Sequence, residues 1–307
     1  STTYYPDNNK LVVKRTDDNA PWVQKLYLPI IFENLSIPKI LIQTSKSSIP
    51  EKFLNRNKYF SKGWDYKFFS DEDIIKYFNN NPLKEFPNIT DIFNSFKNGA
   101  HKADLFRYYF LYQNGGVFID SDAVLHTFLD DIIGNAPLFI TKAFNFKNIP
   151  KENYDYDFYT QAINYNLYYK NFDRINTFNG FIGFPKGHII VYEALRHIYY
   201  TTNNILEKDY HCVCHELWDN YIRNFKSNYM VLEEEYQHYG KSRVKKNNKI
   251  VLSHYWLYNK PGDLRVNKEW NFGTYTKWNE FEKDDKDWFD FTILCPYKTD
   301  KKLIRVG

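Results

Sequence analysis

The sequence predicts an α/β protein with a mainly parallel central sheet flanked by helices. Three observations carry this. Short apolar runs bounded by turn residues recur at 39–44, 64–69, 117–119, 138–142 and 181–184. Segments of helical period with start signals lie between several of them. Strands and helices therefore alternate early in the chain, as in a sheet crossed by helices. With 307 residues, 43% of them hydrophobic and 25% charged, the chain has material for a sizeable core.

Residues 1–36 are polar and irregular, and are expected to wrap the surface. From 37 to 307 there is no linker or repeat, so a single domain is expected. Residues 39–44 read as a buried strand behind Pro38. Pro50 followed by Phe53, Leu54 and Phe60 reads as a helix with proline in its first turn. The run at 64–69 is a second strand. Ser70 ahead of Asp71, Glu72 and Asp73 is a cap followed by acids, a helix start. The strongest helix is predicted over 100–113. It is apolar on almost every side, so it is expected to be buried. Asn114, Gly115 and Gly116 end it, and 117–119 follow as a strand. Further strands are predicted at 138–142, 181–184 and 251–257, and helices at 187–200 and 214–225. The basic run from 241 to 249 reads as a solvated loop, with contact to anionic lipid or phosphate as the alternative.

Composition excludes some classes of function. Lys and Arg total 41 and Asp and Glu 37, a formal charge of +4, which is a poor basis for electrostatic binding of nucleic acid. No apolar run reaches the roughly 18 residues of a membrane span. No signal peptide is visible, although the first residue is not Met. Tyr (27) and Phe (26) are abundant and Met occurs once, a bias of AT-rich codons, with aromatic platforms for sugars as a second explanation. Three cysteines, Cys212, Cys214 and Cys295, give no disulfide framework and are expected to be reduced.

The sharpest chemical feature is Asp120, Ser121 and Asp122 directly after the strand at 117–119. Residues two apart in an extended segment point the same way, so two carboxylates at a strand end can meet one hard divalent cation. Ligands of open α/β sheets bind beyond the carboxyl ends of the strands, where this triplet falls. By itself such a triplet more often marks a turn in which Asp caps backbone amides. Asp104 and Arg107 lie one turn apart on the buried helix. They form either an i,i+3 salt bridge or a pair that holds a ligand, because buried charges need partners. His254 is a candidate third metal ligand, and Tyr255 and Trp256 candidate covers for a nucleotide or sugar; the alternative is a histidine packed under Trp256. His211, Cys212, Cys214 and His215 are zinc ligands by type. Four in five residues cannot easily surround one ion, so the segment reads as a helix start. No nucleophile triad, P-loop or dinucleotide fingerprint is present.

The stretch ADLFRYYFLYQNGGVFIDSD at 103–122 resembles the ADLxRYxxLYxxGGxYxDxD block of glycosyltransferase family 32, almost throughout. IPKILIQT at 37–44 resembles that family's opening IPKIIHQTW strand, and NGFIGFPKGH at 179–188 is similar to a later segment. The resemblance implies a GT-A type fold and a retaining hexosyltransferase that uses a nucleotide-diphosphate sugar with Mn²⁺ or Mg²⁺. By position, Asp120 would lie near ribose and metal, and Asp122 would ligate the metal. Asp104 and Arg107 would hold the donor sugar, Gln43 and Thr44 would lie near the base, and Asn179 and Gly180 would line the sugar pocket. Residues 37–145 would form the nucleotide-sugar half and 146–307 the acceptor half. The acceptor would be a glycan or another hydroxyl.

Departures from the family stand at Ile42 and Ser45, where it has His and Trp, and they leave the choice between UDP and GDP open. The Gly-Pro step expected after the Asn179 segment is also absent, which puts acceptor recognition in doubt. The rival functions are a sugar- or nucleotide-binding module without turnover and a metal-dependent phosphoesterase. With its codon bias and no visible leader, the chain is expected to be a cytoplasmic enzyme of a virus or protist rather than a trimmed Golgi-lumen domain.

Overall fold

The computed structural model describes residues 2–7, 10–15, 26–29, 36–46, 48–49, 51–144, 176–208, 210–217, 229–238 and 241–255. Where an irregular opening segment is expected, three strands form a small antiparallel sheet: β1 (Thr2–Asp7), β2 (Lys10–Arg15) and β3 (Leu26–Pro29).

The main body runs β4 (Ile40–Thr44), α1 (Glu51–Phe60), β5 (Asp65–Phe69), α2 (Asp71–Asn80), α3 (Ile89–Ser95), α4 (Gly99–Asn114), β6 (Gly116–Ile119), β7 (Ala123–Leu125) and α5 (Leu129–Ile133). It continues with β8 (Phe139–Lys142), β9 (Phe181–Phe184), α6 (Ile189–Tyr199), α7 (Asn203–Lys208), α8 (Cys212–Glu216), β10 (Met230–His238), β11 (Lys241–Lys246) and β12 (Lys249–His254). The predicted strands and helices that fall on described residues all form, with ends shifted by a residue or two. The later parts of the helix predicted at 214–225 and of the strand at 251–257 lie outside the described residues.

Nine strands make one sheet in the order β5-β4-β6-β9-β8-β10-β11-β12-β7. It is mixed, not mainly parallel. The β4–β5, β4–β6 and β8–β10 pairs are parallel and the others antiparallel. The cause is connection length: β10, β11 and β12 follow one another through links too short for a crossover, and such links join only antiparallel neighbours. The basic run expected as a solvated loop is therefore β11 and a tight turn. Asn247 and Asn248 carry that turn at φ 51° and 65°, a left-handed pair that Asn tolerates. Lys245 pairs with Glu235 across the ladder, and Val244 is buried.

Strand alternation divides the core in two. Ile42, Phe118, Ile140 and Ile182 face α4 and α6, meeting Phe106, Phe110, Ile190 and Leu195. Leu41, Val117, Ile119 and Phe139 face the other way, meeting Phe60 of α1 and Leu129 and Ile132 of α5. Helices cover both faces, the α/β architecture expected of a GT-A type fold. The capping box at α2 forms as predicted: Ser70 Oγ accepts from Asp73 N–H, and Asp73 accepts from Ser70 N–H at 3.0 Å. Gly115 stops α4 at φ +71°, where a Cβ would lie 2.6 Å from Lys186 N. That stop turns the chain at once into β6, so the D-x-D triplet emerges at a fixed point beyond the sheet.

Candidate metal and sugar site

Asp104, Arg107, Asp120 and Asn179 meet at one point. α4 supplies the first two, β6 presents Asp120, and the turn before β9 brings Asn179 and Gly180. Arg107 Nη1 donates to Asp104 Oδ1, and Nη2 donates to Asp120 Oδ1 at 2.9 Å. The guanidinium lies over the Phe118 ring at 3.9 Å. Asn179 Nδ2 donates to Tyr108 Oη at 2.8 Å and to Asp104 Oδ1 at 3.2 Å, and lies 3.3 Å from Cys214 Sγ. Thr177 Oγ1 in turn donates to Asn179 Oδ1 at 3.0 Å. Asp104 and Arg107 are thus a salt bridge and members of a larger network at once.

Two backbone ties fix the D-x-D turn. Asp120 N–H donates to Gly180 O at 2.9 Å, and Tyr255 N–H donates to Asp122 O at 2.9 Å. Gly180 sits so close that a Cβ there would overlap Asp120 Oδ2 and the Phe178 ring. Gln43 reaches the site too, but its amide is committed: Nε2 donates to Asp120 O at 3.0 Å, while Oε1 accepts from Tyr66 Oη–H at 3.0 Å. Thr44 is buried at the end of β4 and makes no side-chain hydrogen bond to this cluster among the described residues.

On the other flank, β12 carries His254. Its Nε2 lies 3.3 Å from Asp122 Oδ1 and its Nδ1 3.8 Å from Glu234 Oε1. The ring packs against Phe178, with centroids 4.6 Å apart. One ligand atom each from Asp120, Asp122 and His254 lie within 4.8 Å of one another. Two carboxylates and an imidazole fit a divalent ion such as Mn²⁺ or Mg²⁺. Trp256 lies outside the described residues. Tyr255 is not a cover: its ring is buried against Phe53, 5.8 Å away, in a small core with Ile49 and Val124. Alternation along β12 sends it to the face opposite His254.

The electrostatics follow from burial beside unlike charge. Burial pushes the Asp120 carboxyl up to about 6; Arg107 and His254 pull down, while Asp122 and Asp104 push up. For His254, burial opposes the proton, but Asp122, Glu234 and Asp120 outweigh it and carry the ring up to about 10. Burial also opposes charge on Arg107, but Asp104 and Asp120 outweigh it and raise the group, so it is a permanent cation.

Two participants escape a reading of the sequence. Tyr66 orients Gln43, and Glu234 faces His254 with Ser242 donating to it at 2.5 Å. Neither has a local signal, since each is brought in by strand pairing. α8 begins where a helix start is read, and Cys214 on it turns toward Asn179.

Comparison with known proteins agrees with this geometry. The family described as "Glycosyltransferase sugar-binding region containing DXD motif" matches residues 39–139. Inositol phosphoceramide mannosyltransferase 3 of Schizosaccharomyces pombe is 29% identical over 117 residues, 36% of this chain and 32% of that protein. Mannosyl phosphorylinositol ceramide synthase SUR1 of Saccharomyces cerevisiae is 34% identical over 110 residues, 34% of this chain and 28% of that protein. The match thus spans about a third of the curated relatives' own length. No solved structure matches the chain significantly. These matches, to proteins of two fungi, overturn the expected placement as a cytoplasmic enzyme of a virus or protist. Among the described residues no helix is long and apolar enough to cross a membrane. The D-x-D block, the mixed α/β sheet that presents it and the fungal relatives agree: residues 39–139 resemble the D-x-D sugar-binding region of glycosyltransferase family 32.

Proposed function

We propose that the protein is a metal-dependent, retaining glycosyltransferase that moves a hexose from a nucleotide-diphosphate sugar to a hydroxyl of a glycan or glycolipid. The observation that carries this is the convergence of Asp120, Asp122 and His254 within 4.8 Å, next to the buried Asp104–Arg107–Asn179 network. The relatives' names favour mannose, and hence a GDP-linked donor. Residues 37–307 act in this reading as one catalytic domain, with 37–145 as its donor half.

Asp120, Asp122 and His254 would hold Mn²⁺ or Mg²⁺, which when bound supplies positive charge beside a departing diphosphate. Arg107 keeps the carboxylates of Asp104 and Asp120 in place, and Asp104 accepts from a sugar hydroxyl. Asn179 fixes Asp104, and the bare Cα of Gly180 lets the Asp120 carboxylate and the Phe178 ring pack against the turn. In the transfer, the bond from C1 to the diphosphate oxygen breaks and the acceptor oxygen bonds C1 on the same face. The acceptor's proton passes to the departing phosphate oxygen. Gln43 holds the D-x-D backbone in this scheme, in place of the base contact implied by resemblance.

Thermal stabilisation by GDP and by UDP, each with and without Mn²⁺, tests the reading, followed by transfer from the sugar of the nucleotide that binds. A ligand that binds only the native state raises its stability by mass action. The expected result is a metal-dependent shift with GDP and transfer of mannose to a glycolipid acceptor. A shift with UDP alone would move the donor to glucose, galactose or an N-acetylhexosamine. Binding without transfer, or release of free phosphate from simple esters, would overturn the transferase reading.

A further inference from the structure

Glu234 is a buried carboxylate behind His254, and its position is held from two sides. Its side chain is 4% exposed. Ser242 Oγ–H donates to Oε1 at 2.5 Å, and the backbone N–H of Phe144 donates to Oε2 at 3.3 Å. Ser242 stands opposite His254 in the β11–β12 ladder, and β10 pairs with β11 on its other edge. Register alone therefore assembles hydroxyl, carboxylate and ring. The imidazole lies between two carboxylates, with Glu234 at Nδ1 and Asp122 at Nε2, 3.8 and 3.3 Å away.

This arrangement bears on how the ring binds a cation. A neutral imidazole offers one lone pair and keeps one N–H, and the group facing each nitrogen decides which is which. Glu234 faces Nδ1 by charge at 3.8 Å and not through a hydrogen bond, so a cation held by Asp122 on the Nε2 side would leave Nδ1 as the nitrogen that keeps its proton beside an anion.

We propose that Glu234 is a positioning residue of the metal site: it sets the proton of His254 on Nδ1 and presents Nε2 to the cation held with Asp120 and Asp122. This rests on the metal-site reading above. Partners of this kind around metal-bound histidine typically change metal affinity by about 10–100-fold when lost.

The test is direct Mn²⁺ binding, by electron paramagnetic resonance of the free ion, on the full chain without nucleotide. It is joined by ¹⁵N spectra of the histidine rings in the Mg²⁺-loaded protein. Glu234→Gln is expected to bind Mn²⁺ about 10–100-fold more weakly with an unchanged fold, and to lose the single Nδ1–H form of His254. Ser242→Ala, which removes one donor to Glu234, is expected to weaken binding by about fivefold. Asp122→Asn and His254→Ala serve as references. Wild-type Mn²⁺ affinity in both references would remove the metal site and this inference with it. Weakened references beside a Glu234→Gln variant with wild-type affinity and an unchanged ring proton would overturn the positioning role alone. If Glu234→Gln does not fold, Ser242→Ala decides: unchanged affinity and tautomer there overturn the proposal.

Discussion

Arg107 and His254 are both cations set between carboxylates, yet they hold charge in opposite ways. Arg107 bonds directly to Asp104 and Asp120 and cannot lose its proton. His254 stands 3.3 Å and 3.8 Å from its two acids, and it is charged only because they raise its affinity for a proton. The helix flank is a closed salt-bridge network. In the proposed reading the strand flank's cation is exchangeable, a divalent ion taking the place of the ring's proton. The difference teaches which residues shape the site and which are kept for chemistry.

That contrast can be broken most directly at Asp122. Asp122→Asn should lower transfer by a factor on the order of 10³ while the melting temperature stays near wild type. Full activity in that variant would end the metal assignment. Next in size is Arg107→Met, which strands Asp104 and Asp120 as buried charges. It should cost about 3–5 kcal/mol in urea unfolding. A variant as stable as wild type would mean the helix flank is no more structural than the strand flank. Asn179→Ala should cost about 1–3 kcal/mol, since Asp104 and Tyr108 each lose a donor. An unchanged midpoint would show that the network does not extend beyond the Arg107 pair.

The smallest effect concerns a histidine outside the site, shifted the other way. His188 Nδ1 accepts from Ile190 N–H at 3.2 Å and caps α6, and burial pushes the ring down to about 4. The unfolded chain, with a His near 6.5, therefore binds more protons than the folded one between about 4 and 6.5. This contribution to stability is complete above about pH 6.5 and declines as pH falls toward 4. His188→Asn keeps a cap that does not titrate and should flatten that part of the profile. An unaltered acid slope would place the proton uptake at His211, the other histidine that burial pushes down to about 4.

Much of the helix flank is legible in the sequence because it is local. Asp104, Arg107 and Asp120 fall within one helix, one glycine turn and one strand, so spacing and period bring them near each other. The two-faced core follows from alternation in the same way. The strand flank is different. His254 is readable as a candidate, but Glu234 sits in a run of three glutamates of which only the middle one is turned inward. Nothing local marks that one, because pairing with β8 and β11 decides it. The same pairing turned a lysine-rich run from an expected loop into a strand, and mixed the sheet where alternation of elements suggested parallel order. Resemblance puts Gln43 near a nucleotide base, but Tyr66 and the Asp120 carbonyl, both distant in sequence, occupy its amide.

The pairing of β7 with β12 sets an order of events during synthesis. Arg107 meets Asp104 and Asp120 across separations of 3 and 13 residues, so that cluster can form once α4 and β6 have left the ribosome, with Asn179 joining it after β9 emerges. Beside the D-x-D turn, His126 contacts Ser253 across 127 residues, and Asp122 waits as long for His254. Closing so long a loop is slow relative to helix formation. A nascent chain should thus carry a finished sugar flank and an unfinished metal flank until its last strand docks. Ribosome-bound chains halted before and after residue 254 would then differ in Mn²⁺ binding far more than in helix content.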